Sequence, residues 1–89
     1  MRAVITVVGK DTVGILAKVS GICAEHHVNI VEVTQSILQD MFCMIMMADL
    51  TQCDTSISAL SAQLEEFGAS QALSIHVMHE DIFNSMHKI

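Results

Sequence analysis

The run from Phe42 to Leu50, FCMIMMADL, has almost no polar side chain and constrains the fold more than any other feature of the sequence. A strand with apolar residues on both faces is expected in the middle of a sheet that is covered on both sides. A chain of 89 residues has material for only one hydrophobic core. We therefore predict one domain, residues 1–89, with this run as a central strand.

Three further segments have strand patterns. Residues Arg2 to Val8 are β-branched or small on both faces, which predicts another covered strand. Residues Asn29 to Leu38 alternate apolar with polar side chains, which is typical of a half-solvated edge strand. Its apolar face is formed by Val31, Val33 and Ile37, and the short polar turn LQDM leads from it to the central run. Residues Ala72 to Met78 form the last strand, with Leu73, Ile75 and Val77 directed inward.

Two later segments have the spacing of amphipathic helices. One begins at Asp54 or Thr55 and ends at Gly68, which is in position for a left-handed helix stop. The other covers about residues 80–88, with acidic residues at its start and Lys88 near its end, as the helix dipole favours. Their apolar stripes are Ile57, Leu60, Leu64 and Phe67 in the first helix, and Ile82, Phe83, Met86 and Ile89 in the second.

A third helix follows the first strand directly. Apolar positions recur every three or four residues from Ile15 to His26, which predicts a helix over about residues 12–27. Asp11 or Thr12 is placed to serve as its N-cap, because a short side-chain oxygen accepts a hydrogen bond from a free amide in the first turn.

The complete order is strand, helix, strand, strand, helix, strand, with a terminal helix added. Two right-handed β-α-β units that share one antiparallel sheet give an α+β fold, the ferredoxin-like βαββαβ sandwich. In this topology a four-stranded antiparallel sheet carries two helices on one face and leaves the other face open. Its first and third strands are central, and its second and fourth strands are edges.

Composition narrows the possible partners and compartment. Four basic and ten acidic side chains give a net charge of −6, which repels phosphate backbones and anionic lipid, so we predict no direct nucleic-acid binding and no membrane association. The strand pattern of MRAVITVVG leaves no room for a leader, and no apolar run approaches the roughly 20 residues of a membrane span. Three cysteines without paired spacing predict reduced thiols and a cytoplasmic location.

The turn between the first strand and the first helix is the best candidate for a binding site. The free amides of the helix's first turn and the positive end of its dipole favour a carboxylate or another anion. Gly14 lets a ligand approach the backbone closely, and Asn29 offers an amide that both donates and accepts hydrogen bonds. The alternative is that Asp11 and Thr12 only cap the helix and that Gly14 only avoids a clash with the sheet.

The run VVGKDTVGILAKVSGICAEHHVNI resembles the first half of an ACT domain, the regulatory module named after aspartate kinase, chorismate mutase and prephenate dehydrogenase. The family pattern has Asp and then Gly in the first turn, an aliphatic pair, a helix, and Asn-Ile at the start of the next strand. The matching residues are Asp11, Gly14, Ile15, Leu16, Asn29 and Ile30. Over the whole chain the sequence is similar to small stand-alone ACT proteins, through ILQD, FCMIM and an EDIF tail, and it also resembles the ACT modules of the glycine cleavage system transcriptional repressor.

The resemblance implies a small ligand, an amino acid or a related carboxylate, bound between two copies of the chain. The backbone of Val13, Gly14 and Ile15 would hold its carboxylate, and Asp11 and Asn29, with Ile30 beside it, would complete the pocket. Many ACT domains have Pro directly before the glycine, so Val13 predicts a less rigid turn. ACT domains commonly regulate an attached enzyme, which implies that this chain reports to a separate protein partner.

Other chemistries have weaker support. No spacing among the five histidines matches a zinc pattern, and His76 and His79 are expected on opposite faces of a strand. No nucleophile lies beside a base in any recognisable arrangement. The methionines of the central run alternate between faces, which favours core packing over a soft-metal path. We predict no catalytic residue, no metal and no cofactor.

The apolar terminal helix and the two-faced central strand favour a homodimer or higher homo-oligomer, formed by edge strands or by open sheet faces. Cys43 or Met44, beside Thr6 and His76, would lie on the open face. The main hypothesis is therefore a ligand-sensing domain that is not an enzyme. The alternatives are a ligand-free interaction subunit and a transcription regulator that acts by protein contact.

Overall fold

The computed structural model of the protein describes residues 1–10 and 14–86. The elements in chain order are β1 (Arg2–Gly9), α1 (Ile15–Glu25), β2 (Asn29–Leu38), β3 (Met41–Asp49), α2 (Ile57–Ser70), β4 (Ser74–His79) and α3 (Glu80–Met86). The strands form one antiparallel sheet in the order β2-β3-β1-β4. This is the predicted ferredoxin-like α+β sandwich, with β1 and β3 central and β2 and β4 at the edges.

The hydrophobic core lies between the sheet and the layer formed by α1 and α2. Alternate residues of the central strands point into it, and the helices contribute one stripe each, as the period-2 and period-3.6 patterns require. Its fully buried large side chains include Ile5 and Val7 of β1, Met44 and Met46 of β3, Val19 and Cys23 of α1, and Leu60 and Leu64 of α2. Burying one such aliphatic side chain contributes about 1.5–3 kcal/mol.

The prediction that both faces of β3 are covered is wrong for the single chain. Cys43, Ile45 and Met47 point away from the helices, and the side chain of Ile45 remains 43% exposed. Met44 is buried on the helix side, so of the two candidates for the open face Cys43 is the correct one. We predicted two covered faces because the run is apolar at almost every position, but α1 and α2 both pack on the same side of the sheet.

The terminal helix α3 covers one end of the face opposite α1 and α2. It packs against β1 and β4, and the guanidinium of Arg2 donates to both carboxylate oxygens of Glu80, at 2.8 and 3.1 Å. Val4 points away from the main core and is nevertheless only 1% exposed. The predicted helix at about residues 80–88 is confirmed from Glu80 to Met86, and Lys88 and Ile89 lie outside the described residues.

The cap predicted for α1 was misplaced. The helix begins at Ile15, and its N-cap is Gly14 instead of Asp11 or Thr12. Among the described residues no side chain accepts a hydrogen bond from its first turn. At the other end α1 stops at Glu25, and His27 adopts a left-handed conformation with φ 59°.

The boundaries of α2 also differ from the prediction. Its N-cap is Ser56, whose hydroxyl accepts a hydrogen bond from the amide of Ala59 at 3.1 Å, and not Asp54 or Thr55. Gly68 lies inside the helix and does not stop it; the left-handed residue is Ala72, with φ 58°. Gly68 is buried because the first residues of β4 approach it closely, so this glycine serves packing between a helix and a strand.

Edge strand β2 contains one irregularity. Its pairing with β3 shifts between Ile30 and Glu32, which leaves Val31 opposite no partner residue and 49% exposed. Val33 is half-buried against the core, so the predicted apolar face of β2 is interrupted at Val31. A bulge of this kind is common at sheet edges.

None of the three helices in the described part of the chain is both long enough and apolar enough to cross a membrane.

Candidate functional site

The candidate site begins where β1 ends and α1 starts. Gly14 lies in the left-handed region with φ 72° and ψ 5°, and its carbonyl accepts a hydrogen bond from the amide of Lys18 at 3.0 Å. Among the described residues, only the Lys18 side chain comes within 4 Å of a methyl group built at Gly14, at 4.0 Å. The left-handed conformation of Gly14 favours a residue without a side chain.

The other glycine of this segment has a different role. A Cβ at Gly9 would collide with the side chain of Leu73, the residue that precedes β4. Gly9 therefore allows the end of β1 to pack against Leu73.

Ile15 anchors the turn to the core, with its side chain 5% exposed among the buried apolar residues. Only its backbone amide is directed toward the start of α1, which is consistent with a role in a backbone cradle. Asp11 and Val13 lie outside the described residues.

Within one chain, the two parts of the predicted site, Gly14 and Asn29, lie far apart. Asn29 is exposed at the first position of β2 and pairs with Asp49, which in turn pairs with Arg2 at the start of β1. Gly9 is at the opposite end of β1, seven residues along the strand from Arg2, so the two ends are about 23 Å apart. Ile30 is half-buried beside Asn29 and packs against the core. One chain alone therefore does not bring Gly14 and Asn29 together.

Positive charge is concentrated at the turn. Lys10 and Lys18 are exposed on either side of Gly14, and neither forms a salt bridge among the described residues. Arg2, in contrast, is paired with Glu80. The sequence prediction did not include these lysines, although the scarcity of basic residues in a chain of net charge −6 was a usable signal.

A second polar cluster, missed at the level of sequence, joins α1 to α2. The Nδ1 of His26 lies 2.8 Å from Asp54 Oδ1, and its Nε2 lies 2.6 Å from Gln63 Oε1. These hydrogen bonds, first the one with Asp54 and then the one with Gln63, raise the pKa of His26. His26 continues the apolar stripe of α1, but its partners are 28 and 37 residues away, so no local pattern could identify them.

Metal and nucleophile chemistry find little support in the geometry. Within residues 1–10 and 14–86 no cluster of three or more His, Cys, Asp or Glu side chains is arranged to hold a metal ion. His76 pairs with Thr6 and His79 with Ala3, so the two histidines lie on opposite faces of β4 as predicted. Burial, with a smaller contribution from Cys53, raises the pKa of the Cys23 thiol to about 11, which disfavours the reactive thiolate.

The sheet order and the one-sided helix layer define a class of small α+β domains, and comparison with known proteins identifies the family. The family model for the ACT domain matches residues 2–78. A UPF0237 protein of Clostridium perfringens is 52% identical over 89 residues, which is all of both chains. The solved ACT domain protein from Streptococcus pneumoniae is 36% identical and superposes with a TM-score of 0.82 over 93% of each chain. The chain belongs to the ACT domain family.

A more distant structure shares the fold. A protein described as a glycine cleavage system transcriptional repressor superposes with a TM-score of 0.70 at 22% identity, covering 85% of this chain and 43% of its own. This likeness extends the resemblance seen in the sequence to the arrangement of strands and helices.

Proposed function

We propose that this chain, acting as one domain, is a non-catalytic regulatory module of the cytoplasm. It binds a small amino acid or a related carboxylate at the turn between β1 and α1 and passes the occupancy to a protein partner. The observation that carries the proposal is that, among the described residues, only the Lys18 side chain comes within 4 Å of a Cβ built at Gly14. The exposed Lys10 and Lys18 flank this turn in a chain that is otherwise strongly acidic.

A carboxylate fits this turn for three physical reasons. The amides at the start of α1 have no partner within the helix, and the helix dipole is positive there. Gly14 has no side chain to keep a ligand away from these amides. The two lysines add an attraction of about 0.2–1 kcal/mol each, the range of exposed ion pairs.

We place the site between two copies because of the separation between Gly14 and Asn29. If the β2 strands of two copies pair antiparallel about a two-fold axis, the start of β2 in one copy lies beside the end of β2 in the other. Asn29 of the second copy then comes to the end of the sheet where α1 of the first copy begins. Strand β2 suits such pairing, because it has ten residues and Glu32 is its single charged side chain.

Ligand binding is tested first by a thermal-shift screen against amino acids and metabolite carboxylates. A ligand at about 100 times its dissociation constant should add roughly 2.7 kcal/mol to the free energy of unfolding. Gly14→Leu should abolish the shift, because the new side chain fills the space above the turn. Gly21→Leu is the matched control: Gly21 is also in α1, and no atom of the described residues lies within 4 Å of its added Cβ. A ligand that binds Gly14→Leu as tightly as the native protein would exclude this site.

Mixing of two variants tests whether the site is shared. Gly14→Leu and Asn29→Ala should each lose binding when pure. If each site combines Gly14 of one copy with Asn29 of the other, random mixing restores about one quarter of the sites, because every heterodimer then has one intact site. Mixtures that recover no binding would contradict a site shared between copies, and Asn29→Ala that binds normally when pure would show that Asn29 has no part in the site.

The second candidate function is a ligand-free interaction subunit. The large apolar side chains left exposed at the end of β2, Ile37 and Leu38, favour it, because 69% and 73% of their respective surfaces are in contact with solvent. No thermal shift with any compound, together with a protein co-purified from cells, would support this function. If that protein were a transcription factor, regulation by protein contact would be the better description.

A further inference from the structure

The outer edge of β4 presents main-chain groups that no other strand uses. The strand order β2-β3-β1-β4 places β4 last, and no segment within the described residues pairs with its far side. In an antiparallel ladder, alternate residues bond to the neighbouring strand, so every second residue of β4 directs its amide and carbonyl away from β1. These groups are available to one further strand.

The sequence of β4 does not protect this edge from pairing. Natural edge strands are commonly protected by lysine or other charges, by proline or by a bulge. The six residues SIHVMH include no Lys, Arg, Asp, Glu or Pro, and their pairing with β1 continues without irregularity from Ser74 to His79. The strand is therefore a regular template for an additional strand.

A cavity of about 390 Å³, which we name the β4 groove, lies at the end of this edge. Val77 packs against the core, whereas Met78 pairs with Val4, which points away from it, so the groove spans both faces of the edge. An extended chain beside β4 would place successive side chains on the α2 side and on the α3 side. The groove is lined by Ile57, Ser58 and Ser61 of α2, by Val77, Met78 and His79 of β4, and by Ile82 of α3.

The polar groups of the β4 groove suit a peptide main chain. The Nδ1 of His79 accepts a hydrogen bond from the amide of Asp81 at 3.0 Å, so in the neutral imidazole the proton is on Nε2, which is a donor. Ser58 is exposed on the groove wall, and its hydroxyl can donate or accept. A main chain has both acceptors and donors, and its apolar side chains would contact the isoleucines, the valine and the methionine of the groove.

The charges beside the β4 groove favour a basic partner. The side chain of Asp81 is 88% exposed, and Glu65, also exposed, accepts a hydrogen bond from the groove residue Ser61 at 2.8 Å. The guanidinium of Arg2 is already paired with Glu80. A second copy would bring a net charge of −6 to this edge, whereas a segment with lysine or arginine would be attracted to it.

We propose that the outer edge of β4 binds an extended segment of a partner protein as a fifth strand, with apolar side chains in the β4 groove and lysine or arginine at the ends of the segment. Main-chain hydrogen bonds would provide the affinity, and the groove would select the side chains. This inference deepens the proposed function and rests on it in one respect, that the chain has a protein partner.

Synthetic peptides test the proposal on the full chain, with no amino acid or carboxylate added. The probe is the peptide KTVIVTK, labelled with fluorescein and measured by fluorescence anisotropy. N-methylation of alternate residues removes the amide donors of one edge of the peptide. One alternate set should weaken binding by at least about tenfold and the other by less than about twofold, because only one edge faces β4. Equal effects of both sets, or no binding of the unmodified peptide, would overturn the proposal.

The charge argument has its own probe. The same peptide with glutamate in place of both lysines should bind at least about fivefold more weakly, because it is repelled by the acidic residues beside the groove. Equal affinity of the two peptides would refute the choice of a basic partner.

Two variants of α3 locate the bound peptide. Ile82 lines the β4 groove and Met86 does not, and their side chains are 55% and 66% exposed. Ile82→Lys should weaken binding by about tenfold and Ile82→Ala by less, whereas Met86→Lys, which adds the same charge, should stay within about twofold. Equal effects of the two lysine variants would place the peptide elsewhere, as would NMR shift changes that are largest in β2 instead of β4.

The mass of the complex distinguishes the peptide from a second copy as the occupant of this edge. If the peptide lowers the mass of the protein in analytical ultracentrifugation, a second copy occupies the edge and the proposal is wrong; an unchanged number of chains supports it. Peptide binding without any ligand-induced thermal shift would contradict only the proposed ligand function. A ligand-induced shift without peptide binding would contradict only the inference about β4.

Discussion

Replacing Gly68 with alanine should destabilise the protein, although alanine is the better helix former. Gly68 is buried in α2 where the helix meets the start of β4. An added Cβ would lie 2.9 Å from the carbonyl oxygen of Leu73 and 2.9 Å from Cγ1 of Ile75. The amide of Leu73 donates a 2.8 Å hydrogen bond to the carbonyl of Gly68, so this bond holds together the two segments that the new methyl group would push apart.

The change in the free energy of unfolding is the sum of two destabilising contributions and one stabilising contribution. Overpacking a core position costs about 1–3 kcal/mol, and the backbone contact places this position in the upper half of that range. Strain on the hydrogen bond between Leu73 and Gly68 adds up to about 1 kcal/mol. The gain in helix propensity from Gly to Ala offsets about 0.8–1 kcal/mol. We expect a net loss of about 1–3 kcal/mol, which lowers the Tm by about 4–24 °C for a domain of this size.

Gly21→Ala is the internal comparison. Gly21 lies in α1, and nothing in residues 1–10 and 14–86 comes within 4 Å of its added Cβ. The propensity gain is therefore unopposed, and this variant should be more stable by about 0.8–1 kcal/mol. Both variants are measured by thermal and urea unfolding at one fixed protein concentration, because self-association shifts the apparent stability. If Gly68→Ala is at least as stable as the native protein, the argument from the close contacts of Gly68 with Leu73 and Ile75 is refuted. If Gly21→Ala is less stable, the assumption that only helix propensity acts at Gly21 is refuted.

Three further predictions concern the side chains of His26, Cys23 and Ser56. Hydrogen bonds to Asp54 and Gln63 raise the pKa of His26 in the folded protein. The contribution of His26 to the free energy of unfolding should therefore be complete below its unfolded pKa of about 6.5, and it should be lost as pH rises through the folded pKa. An NMR titration should give a raised value that Asp54→Asn returns toward 6.5, and an unchanged value in that variant would contradict the assignment. Cys23, with its pKa raised to about 11 by burial, should react with alkylating reagents only on unfolding, so labelling of the native protein at mild pH would disprove its burial. Ser56→Ala removes the side-chain cap of α2 and should cost about 1 kcal/mol in urea unfolding, whereas Ser56→Asp should retain most of the stability.

Local patterns were sufficient where a residue's role depends on its neighbours in the chain. The alternation from Asn29 to Leu38 located β2 with its observed bounds, and the apolar stripe of α2 identified Leu60 and Leu64, which are fully buried. The change of period located the start of α1 only to within a few residues, because the predicted caps Asp11 and Thr12 precede the observed N-cap Gly14. The ACT resemblance then named the residues of the turn.

Other assignments depended on contacts between distant segments. Gly68 looked like a helix stop because a glycine often follows the last apolar position, but its neighbours Leu73 and Ile75 require it inside the helix. The apolar run of β3 does not distinguish the residues that face the helices from those that face away, so both Cys43 and Met44 were candidates for the open face. The sequence does not show which basic residues are paired. Only the structure shows that Arg2 is paired with Glu80, whereas Lys10 and Lys18 at the turn form no salt bridge among the described residues.

The sequence by itself determined the fold class of this ACT domain, the order of its strands and the turn that is the candidate site, because hydrophobic periodicity and glycine placement act over a few residues. Only the tertiary structure decided that Gly14 and Asn29 lie at opposite ends of the sheet and that Cys43, and not Met44, lies on its open face. The first fact depends on the direction in which α1 carries the chain back along the sheet, and the second depends on the side of the sheet against which α1 and α2 pack. Contacts between segments that are far apart in the chain determine both.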